Sequence, residues 1–380
     1  MIIIDNKENC CGCSACYSVC PHHCITMRAD HEGFLYPVTD TERCTQCGLC
    51  EKVCPVINQE KSREVAVYAA KSPDYESRKR STSGGIFSLL AEDVLNKNGV
   101  VYGAMFNNGW EVIHGHIDRK DDLYCLRGSK YVQSNIGDCF REIKELLEKG
   151  KHVLFSGTPC QTSGLKLYLK NSYDNLLLVD VVCHGVPSPK VWKDYLLSLN
   201  KRDDEILNIS FREKVNGWAD ALFTINDING NSIISEPYRE NIYMQGFMEN
   251  IFLRPSCYKC PARNGRSRSD ITLGDYWGVE KQHPNMADKD GVSLVIVNTE
   301  KGARIFGNIE IEKELSSLKQ ATDNRNLCIL YDAKRTTDRD YFWKQYKQIG
   351  IEAIDKCLKH KKRPNLRRFC NKMLDKLKNR

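Results

Sequence analysis

The chain has 380 residues, 19 cysteines and a formal net charge of +7. Its length suggests two or three domains, and nineteen cysteines in so long a chain do not fit a short secreted disulfide scaffold. No apolar run approaches the roughly 18 residues of a membrane span, and the first ten residues lack the charged-then-apolar pattern of a signal peptide. These features predict a cytoplasmic protein without a membrane span.

Two runs of four cysteines occupy the first sixty residues, and both read C-x2-C-x2-C-x3-C-P. Bacterial two-cluster ferredoxins carry this run, and its fourth cysteine binds the other cluster. The offset between the runs is constant, as a duplicated half-module requires. We therefore predict one [4Fe-4S] cluster on Cys10, Cys13, Cys16 and Cys54 and a second on Cys44, Cys47, Cys50 and Cys20. Zinc is the alternative for such cysteine pairs. Cys11 and Cys24 lie outside the pattern and are interpreted as spectators.

A polar linker at 58–64 precedes a region of alternating strands and helices. Hydroxyl residues at 81–83 are predicted to cap a helix over 86–95. Strands are predicted over 100–106 and 111–117 around an Asn-Asn-Gly turn. A helix over 136–149 is predicted to end before a C-capping glycine.

Two apolar strands predict the core of a sheet. The strand at 152–156 leads into a loop at 157–161, after which a helix is predicted from Ser163, and the strand at 176–182 ends at Cys183. Apolar strands that alternate with helices favour a parallel sheet covered on both faces. Ligands of such sheets gather at the carboxyl ends of the strands, where Cys160 and Cys183 would lie. Further strands are predicted at 209–212, 221–225, 232–235 and 293–298, the first three antiparallel, with an Asn-Gly turn before the third.

A third set of cysteines is completed by Cys257 and Cys260. This C-x2-C pair alone is ambiguous among zinc, a redox dithiol and a cluster. Together with Cys160 and Cys183 it forms a possible four-thiolate site. The nearby segment 263–270 is interpreted either as a site for an anionic ligand or as a solvated loop, from Arg263, Arg266, Arg268 and Asp270.

Several motifs between 67 and 297 resemble the coenzyme F-420 hydrogenase/dehydrogenase beta-subunit family of iron-sulfur flavoproteins. They are Ser83-Gly84-Gly85-Ile86-Phe87, Gly128-Ser129-Lys130-Tyr131, Gly157-Thr158-Pro159-Cys160-Gln161, Cys183-His184-Gly185, Cys257-Tyr258-Lys259-Cys260 and Asp270-Ile271-Thr272-Leu273-Gly274-Asp275-Tyr276-Trp277-Gly278. The resemblance implies a third [4Fe-4S] cluster on Cys160, Cys183, Cys257 and Cys260, and a bound FAD. It also implies an α/β flavin-binding domain over 61–310, behind a ferredoxin-like module over 1–60 and before a helical basic region over 311–380.

The candidate FAD residues follow from this resemblance and from physical chemistry. A glycine-rich turn at a helix N-terminus offers unpaired N–H groups and a positive dipole end, which suit a pyrophosphate. Ser83, Gly84, Gly85, Lys130 and Thr158 are the candidates. Tyr276 and Trp277 are candidate walls for the isoalloxazine ring, with burial in the core as the alternative. His184 is a candidate proton donor, with a structural hydrogen bond as the alternative.

The predicted function is a cytoplasmic iron-sulfur flavoprotein oxidoreductase that couples one-electron transfer through the clusters to hydride chemistry at FAD. Its redox partner would be ferredoxin, a deazaflavin coenzyme or NAD(P)H, and similar bacterial proteins are associated with polysaccharide biosynthesis. One alternative is an electron-transfer subunit that feeds a separate catalytic partner and has no substrate of its own. The other is a zinc-binding assembly module.

The positive charge is concentrated at the C-terminus, where residues 355–380 hold eleven Lys or Arg against two Asp. An amphipathic basic helix is predicted from about Asn365. It would be either a solvated surface helix or a docking element for an acidic partner or an anionic membrane surface. No recognised nucleic-acid motif accompanies the charge.

Overall fold

The structure is a computed structural model that describes residues 1–61, 64–323 and 325–362. The N-terminal module holds two short helices, α1 (Ala15–Val19) and α2 (Leu49–Lys52). Between them lie the antiparallel strands β1 (Ile25–Ala29) and β2 (Leu35–Thr39). Each helix begins directly after the second cysteine of one run and its single spacer residue.

Eight strands form the main sheet: β3 (Ala66–Lys71), β4 (Val100–Phe106), β5 (Val112–Ile117), β6 (Val153–Gly157), β7 (Leu176–Val181), β11 (Ile271–Asp275), β12 (Ser293–Val297) and β13 (Glu312–Ser316). Their order is β13-β3-β12-β11-β7-β6-β4-β5. The central four, β4, β6, β7 and β11, pair in parallel, and the strands at both sides pair antiparallel. The prediction of a parallel sheet is therefore confirmed for the centre, while the whole sheet is mixed.

Three further strands form a separate antiparallel sheet: β8 (Ile206–Glu213), β9 (Leu222–Asp227) and β10 (Ser232–Pro237). Their order is β10-β9-β8. Asn229 and Gly230 lie in the turn between β9 and β10, as the sequence predicts.

The remaining helices are α3 (Tyr75–Lys79), α4 (Ile86–Asn96), α5 (Cys139–Glu148), α6 (Pro159–Leu169), α7 (Pro189–Leu197), α8 (Ile242–Met248), α9 (Val279–Gln282), α10 (Glu300–Gly307), α11 (Leu318–Ala321), α12 (Thr337–Ile349) and α13 (Ala353–Lys362). Helices cover both faces of the main sheet because the apolar side chains of a strand alternate between faces. Leu154 packs in the cluster that contains α4 and α10, whereas Val153 and Phe155 pack in the cluster that contains α5 and α6.

Two helix starts differ from the sequence predictions. The N-cap of α4 is Gly85 with φ 88°, and no side-chain hydroxyl caps the helix. Helix α6 begins at Pro159 instead of Ser163, because Thr158 and Gln161 form a capping box around a proline at the first helical position. Cys160 therefore lies in the first turn of a helix.

The region after residue 310 contributes to both the sheet and the core. Strand β13 is an edge strand of the main sheet, so the sheet continues past the boundary predicted at 310. In α13, Ile354 and Cys357 are buried. The basic helix predicted from Asn365 lies outside the described residues. Within the described part of the chain, no helix is long and apolar enough to cross a bilayer.

A buried ion pair joins the N-terminal module to the C-terminal helices. The Arg339 guanidinium on α12 contacts the Glu32 carboxylate through two nitrogen atoms, one of them at 3.0 Å, and both residues are buried. Arg339 also donates to the carbonyl oxygen of Leu253 at 3.1 Å. The module is therefore fixed against the α/β domain at the turn between β1 and β2.

Candidate functional site

The two N-terminal cysteine loops repeat each other in backbone conformation. Gly12 and Gln46, which stand two residues after the first cysteine of each run, have φ of 73° and 56°. Ser14 and Gly48, four residues after that cysteine, have φ of 61° and 72°. Left-handed conformations are uncommon outside glycine, so their recurrence at equivalent positions shows that the duplication extends from spacing to structure.

The cysteines of each predicted cluster lie near one another across the two runs. We call Cys10, Cys13, Cys16 and Cys54 the inner set. Burial raises the pKa of the Cys16 thiol, and the neighbouring thiols of Cys10 and Cys54 raise it further. Fourth-ligand exchange between the runs is thus compatible with the geometry.

We call Cys20, Cys44, Cys47 and Cys50 the outer set. These four residues line one small cavity, together with Cys24. The Sγ of Cys24 lies 3.3 Å from the Sγ of Cys20, although the sequence interpretation left Cys24 out. Cys47 is exposed, so the outer set reaches the surface of the protein.

The third set surrounds a cavity of about 100 Å³, which we call the cluster cavity. Its wall contains six cysteines: Cys160, Cys183, Cys257, Cys260, Cys11 and Cys328. The first four are the predicted ligands. Cys11 and Cys328 were missed, because neither stands in a spacing motif and only the fold brings them here.

Different elements supply the four predicted ligands. Cys160 lies in the first turn of α6, and Cys183 follows the end of β7. Cys257 lies in the 3-10 turn Pro255–Lys259, where the Val186 N–H donates to its Sγ at 3.4 Å. Cys260 directly follows this turn. The carboxyl end of the central sheet thus faces the C-x2-C turn, as the sequence predicts for Cys183.

The thiols of the cluster cavity are held in an environment that disfavours their charge. Burial, followed by the neighbouring Cys160 thiol, raises the pKa of Cys260 to about 11. Burial likewise raises the pKa of Cys257 to about 12. Metal binding requires deprotonated thiols, so such thiols become ligands when a metal centre supplies the positive charge. A set of thiolates alone suits an iron-sulfur cluster or zinc. Across the described residues, no three His, Cys, Asp or Glu side chains are grouped as a site for a single metal ion.

A second cavity of about 290 Å³ lies beside the first, and we call it the sheet-edge cavity. Ser83, Gly85, Lys130 and Thr158 of the predicted FAD residues line it, as does His184. The N-terminal residues of α4 and α6 are also in its wall. Two helix N-termini with free N–H groups therefore border the same space, and such ends attract anions.

Cys183 borders both cavities. It lines the cluster cavity with the other thiols and the sheet-edge cavity with His184, and Val182, Gly185 and Val186 are shared in the same way. A group bound in one cavity would therefore neighbour a group bound in the other.

The polar candidates around the sheet-edge cavity have partners within the protein. Ser83 Oγ donates to the Val292 carbonyl oxygen at 3.0 Å, and the Gly84 N–H donates to Ser293 Oγ at 3.0 Å. Gly84 is not itself in the cavity wall, but these bonds hold the turn that precedes α4 on strand β12. Gly85 and the first residues of α4 consequently keep a fixed position at the cavity.

Lys130 and Thr158 are also held. Lys130 Nζ donates to the carbonyl oxygens of Cys125 at 2.9 Å and Arg127 at 2.8 Å, and burial lowers its pKa to about 7. Thr158 Oγ1 lies 3.2 Å from Cys160 Sγ. Thr158 therefore stands between the two cavities.

Tyr276 and Trp277 do not line the sheet-edge cavity in the described structure. The Tyr276 ring is fully buried in a core cluster, and its hydroxyl lies 2.6 Å from Ser316 Oγ. Trp277 stacks on Trp218 with ring centroids 4.3 Å apart. Their neighbour Asp275 is in the cavity wall instead, because side chains alternate along β11 and its continuation.

His184 lies in the wall of the sheet-edge cavity. Its Nε2 is 2.6 Å from Asn250 Oδ1, and its ring meets Phe247 edge-on with centroids 5.1 Å apart. Burial lowers the pKa of His184, which favours the neutral ring at neutral pH. The structural hydrogen bond that the sequence left as an alternative is thus present, to a side chain.

The sequence interpretation missed a charged pair in this cavity. Arg212 Nη1 on β8 lies 2.5 Å from Asp275 Oδ2, and Trp218 Nε1 donates to Asp275 Oδ1 at 3.1 Å. Arg212 and Asp275 both line the cavity, and so does Arg127. Asp275 stands inside a motif that the sequence singled out, whereas Arg212 comes from a strand with no signal of its own.

Helix α6 links the cluster cavity to the inner set. Cys160 lies at its N-terminus, and one turn later Gly164 packs on Cys13. A Cβ at Gly164 would lie 2.9 Å from both Cβ and Sγ of Cys13, so no larger residue fits without a shift. Cys11 is buried between these elements and is close to both Cys13 and Cys160. The inner set and the third set are therefore neighbours.

Comparison with known proteins gives two family matches. Residues 150–323 match the family described as the C terminus of the coenzyme F420 hydrogenase/dehydrogenase beta subunit, and residues 9–58 match the 4Fe-4S dicluster domain. The chain is 23% identical over 369 residues to the F-type subunit of the F(420)H(2) dehydrogenase of Methanosarcina mazei, covering 90% of this chain and 94% of that protein. A chain in a structure of the F420-reducing [NiFe] hydrogenase complex from Methanosarcina barkeri aligns with a TM-score of 0.47 and 17% identity, over 79% of this chain and 93% of that one.

Proposed function

Because residues 150–323 belong to the coenzyme F420 hydrogenase/dehydrogenase beta-subunit family and residues 9–58 form a 4Fe-4S dicluster domain, we propose that the protein is an iron-sulfur electron-transfer flavoprotein. In this proposal, FAD binds in the sheet-edge cavity and exchanges electrons with three [4Fe-4S] clusters. The observation that carries the proposal is that Cys183 borders both the cluster cavity and the sheet-edge cavity. FAD, when bound, joins two-electron hydride chemistry to one-electron transfer.

The sheet-edge cavity suits the anionic part of a dinucleotide cofactor. Its volume of about 290 Å³ is at the lower end of the range for cofactor pockets, roughly 300 to 1,000 Å³. The N-termini of α4 and α6 supply N–H donors, and the guanidinium groups of Arg127 and Arg212 add positive charge. Helix N-termini with nearby cations are the usual cradle of a pyrophosphate.

The three thiol sets define a route from the surface to this cavity. The outer set contains the exposed Cys47, and the inner set lies between the outer set and helix α6. Cys160 on α6 then belongs to the third set, whose Cys183 borders the sheet-edge cavity. A one-electron carrier such as a ferredoxin would dock near the outer set, and the two-electron partner, a deazaflavin coenzyme, NAD(P)H or another hydride donor or acceptor, would meet FAD.

His184 is the candidate proton donor in this proposal, because it lines the sheet-edge cavity beside Cys183. Its neutral ring holds one proton, and the contact of its Nε2 with Asn250 Oδ1 fixes the ring orientation. The link with polysaccharide biosynthesis stays a prediction from the sequence resemblance.

A second candidate function is an electron-transfer subunit that has no substrate of its own. It is favoured by the Methanosarcina mazei relative, which is named as a subunit of a dehydrogenase and matches almost end to end. Hydride exchange by the isolated protein would support the first function, and activity that appears only with a partner polypeptide would support the second.

The experiment that tests the cofactor assignment compares Cys260→Ser with Cys328→Ser after anaerobic purification. Both thiols line the cluster cavity and neither lines the sheet-edge cavity, but only Cys260 is a predicted ligand. We expect Cys260→Ser to lose about one third of the iron and to keep FAD, and Cys328→Ser to keep both.

Three results would contradict this assignment. They are full iron content in Cys260→Ser, stoichiometric zinc without iron in the parent protein, and a parent protein that binds no flavin.

A further inference from the structure

Arg254 is a fully buried arginine at the junction between the inner set and the third set. It stands three residues before Cys257. Its Nε donates to the Cys10 carbonyl oxygen at 2.8 Å, and its Nη2 approaches Cys10 Sγ at 3.5 Å. Nη2 also donates to the Leu35 carbonyl oxygen at 2.9 Å, and Nη1 to Gln133 Oε1 at 2.9 Å. The guanidinium is thus aimed at the first cysteine of the inner set.

The other buried arginines of the described residues each have a carboxylate partner. Arg212 pairs with Asp275, Arg263 with Asp332, and Arg339 with Glu32. Arg254 has no carboxylate within ion-pair distance among the described residues. Its ionisable neighbours are the thiols of Cys10, Cys11 and Cys257 and the phenol of Tyr36.

A buried guanidinium without a counter-charge is costly, because it has lost its hydration. The aromatic ring of Tyr36, whose centroid is 4.3 Å from the guanidinium carbon, offsets part of this cost through a cation–π contact. The neutral acceptors satisfy the N–H groups but supply no negative charge. The anion that balances Arg254 must therefore come from the group that the inner set binds.

We propose that Arg254 is the counter-cation of the inner cluster and raises its reduction potential above that of the outer cluster. This inference rests on the proposed function and adds an internal direction to it. An electron that enters at the exposed outer set would move to the inner set, next to helix α6 and the cluster cavity.

The physical reason is electrostatic. Reduction of a cluster adds one negative charge, and a nearby cation stabilises the reduced form more than the oxidised form. Net charge, hydrogen bonds to sulfur and solvent exposure set the potentials of iron-sulfur clusters. Arg254 supplies both the charge and an N–H donor beside Cys10 Sγ, in an interior where charges are weakly screened. Cys47 of the outer set faces water instead.

The test is an EPR-monitored redox titration of the anaerobic holoprotein and of three variants. Arg254→Gln removes the charge, Arg254→Lys keeps it, and Arg339→Gln removes a different buried arginine that also holds the N-terminal module but has no cysteine among its hydrogen-bond or ion-pair partners. Cys13→Ser and Cys47→Ser identify which signal belongs to the inner and which to the outer cluster.

We expect Arg254→Gln to shift the reduction equilibrium of the inner cluster at least tenfold towards the oxidised form, which is about 59 mV for one electron. The outer cluster should keep its potential. Arg254→Lys should show a smaller shift, and Arg339→Gln should move neither potential.

Unchanged potentials in Arg254→Gln, or equal shifts of both clusters, would overturn the role of Arg254 while leaving the proposed function in place. If Arg254→Gln cannot hold its inner cluster, the parent protein decides. An inner cluster with the higher potential supports the proposal, and equal or reversed potentials overturn it. A parent protein without iron would overturn the proposed function itself.

Discussion

The two copies of the cysteine run have the same spacing and the same left-handed turns, but one packs against the α/β domain and the other faces solvent. A Cβ at Gly12 in the inner loop would lie 2.7 Å from Gln133 Nε2 and 2.8 Å from Arg254 Nη1. A Cβ at Gly48 in the outer loop would meet nothing within 4 Å. The local sequence therefore determines how each loop is shaped, and the surrounding domain determines how each cluster site differs.

This difference suits two roles for two similar sites. The outer set is accessible to a diffusing carrier through the exposed Cys47. The inner set is enclosed by Arg254, Gln133 and helix α6 and lies next to the third set. A duplicated module thus becomes directional when one half is buried against a second domain.

The largest effect is expected from the buried pair that fixes the module in this orientation. Glu32→Gln leaves the Arg339 guanidinium buried and unpaired, which should destabilise the protein by about 3 to 5 kcal/mol. Glu42→Gln, at an exposed position of the same module, should change stability by less than about 0.5 kcal/mol. Anaerobic chemical unfolding measures both, and equal small effects would show that the module is not held at this pair.

Alanine at the two loop glycines tests the contrast between the halves directly. Gly12 and Gly48 have φ of 73° and 72°, so both variants carry the same left-handed strain of about 1 to 2 kcal/mol. Gly12→Ala also collides with Gln133 and Arg254, which should add about 1 to 3 kcal/mol. Loss of inner-cluster absorbance should follow in Gly12→Ala alone. Similar stability of the two variants would contradict the packing difference.

A smaller effect is expected where helix α6 meets the inner set. Alanine usually stabilises a helix relative to glycine by about 0.5 to 1 kcal/mol. At Gly164 the new Cβ would press on Cys13, so Gly164→Ala should instead destabilise the protein, by about 1 kcal/mol. Gly307→Ala at the end of α10, where a Cβ meets nothing within 4 Å, is the matched control. Thermal unfolding of the holoprotein distinguishes them, and a stabilised Gly164→Ala would contradict the close contact.

The smallest effect is expected from removal of the basic C-terminus. Deletion of residues 363–380 should preserve iron and flavin content and weaken only a salt-sensitive association with acidic proteins or anionic liposomes. Deletion from residue 355 should be more harmful, because Cys357 is buried in the core. Loss of FAD or iron in the shorter deletion would show that these residues support a cofactor site.

The sequence predicted what depends on local spacing and failed where the chain returns from a distance. The cysteine runs, strands β4 to β7 and the three-stranded sheet carry short-range patterns, and the structure has them at the expected places. Helix α6 was started too late, although the sequence Thr-Pro-Cys-Gln holds the signal of a capping box with proline. Strand β13 was missed because a polar edge strand has no apolar alternation.

The missed site residues share one property: their neighbours are far away in sequence. Arg254 contacts Cys10 across 244 residues, and Arg212 contacts Asp275 across 63. Cys11 and Cys328 reach the cluster cavity from opposite ends of the chain. No pattern of periodicity or spacing reports such contacts, so the charges around the predicted clusters emerged only with the fold.

The central claim is that electrons pass from the N-terminal clusters through the third cluster to FAD. The most direct test reduces the clusters with a low-potential one-electron donor and follows flavin bleaching by anaerobic stopped-flow, in the parent, Cys260→Ser and Cys328→Ser. We predict rapid bleaching in the parent and Cys328→Ser, and bleaching slowed by orders of magnitude in Cys260→Ser with FAD still bound. Bleaching at the parent rate in Cys260→Ser would show that electrons bypass the third site.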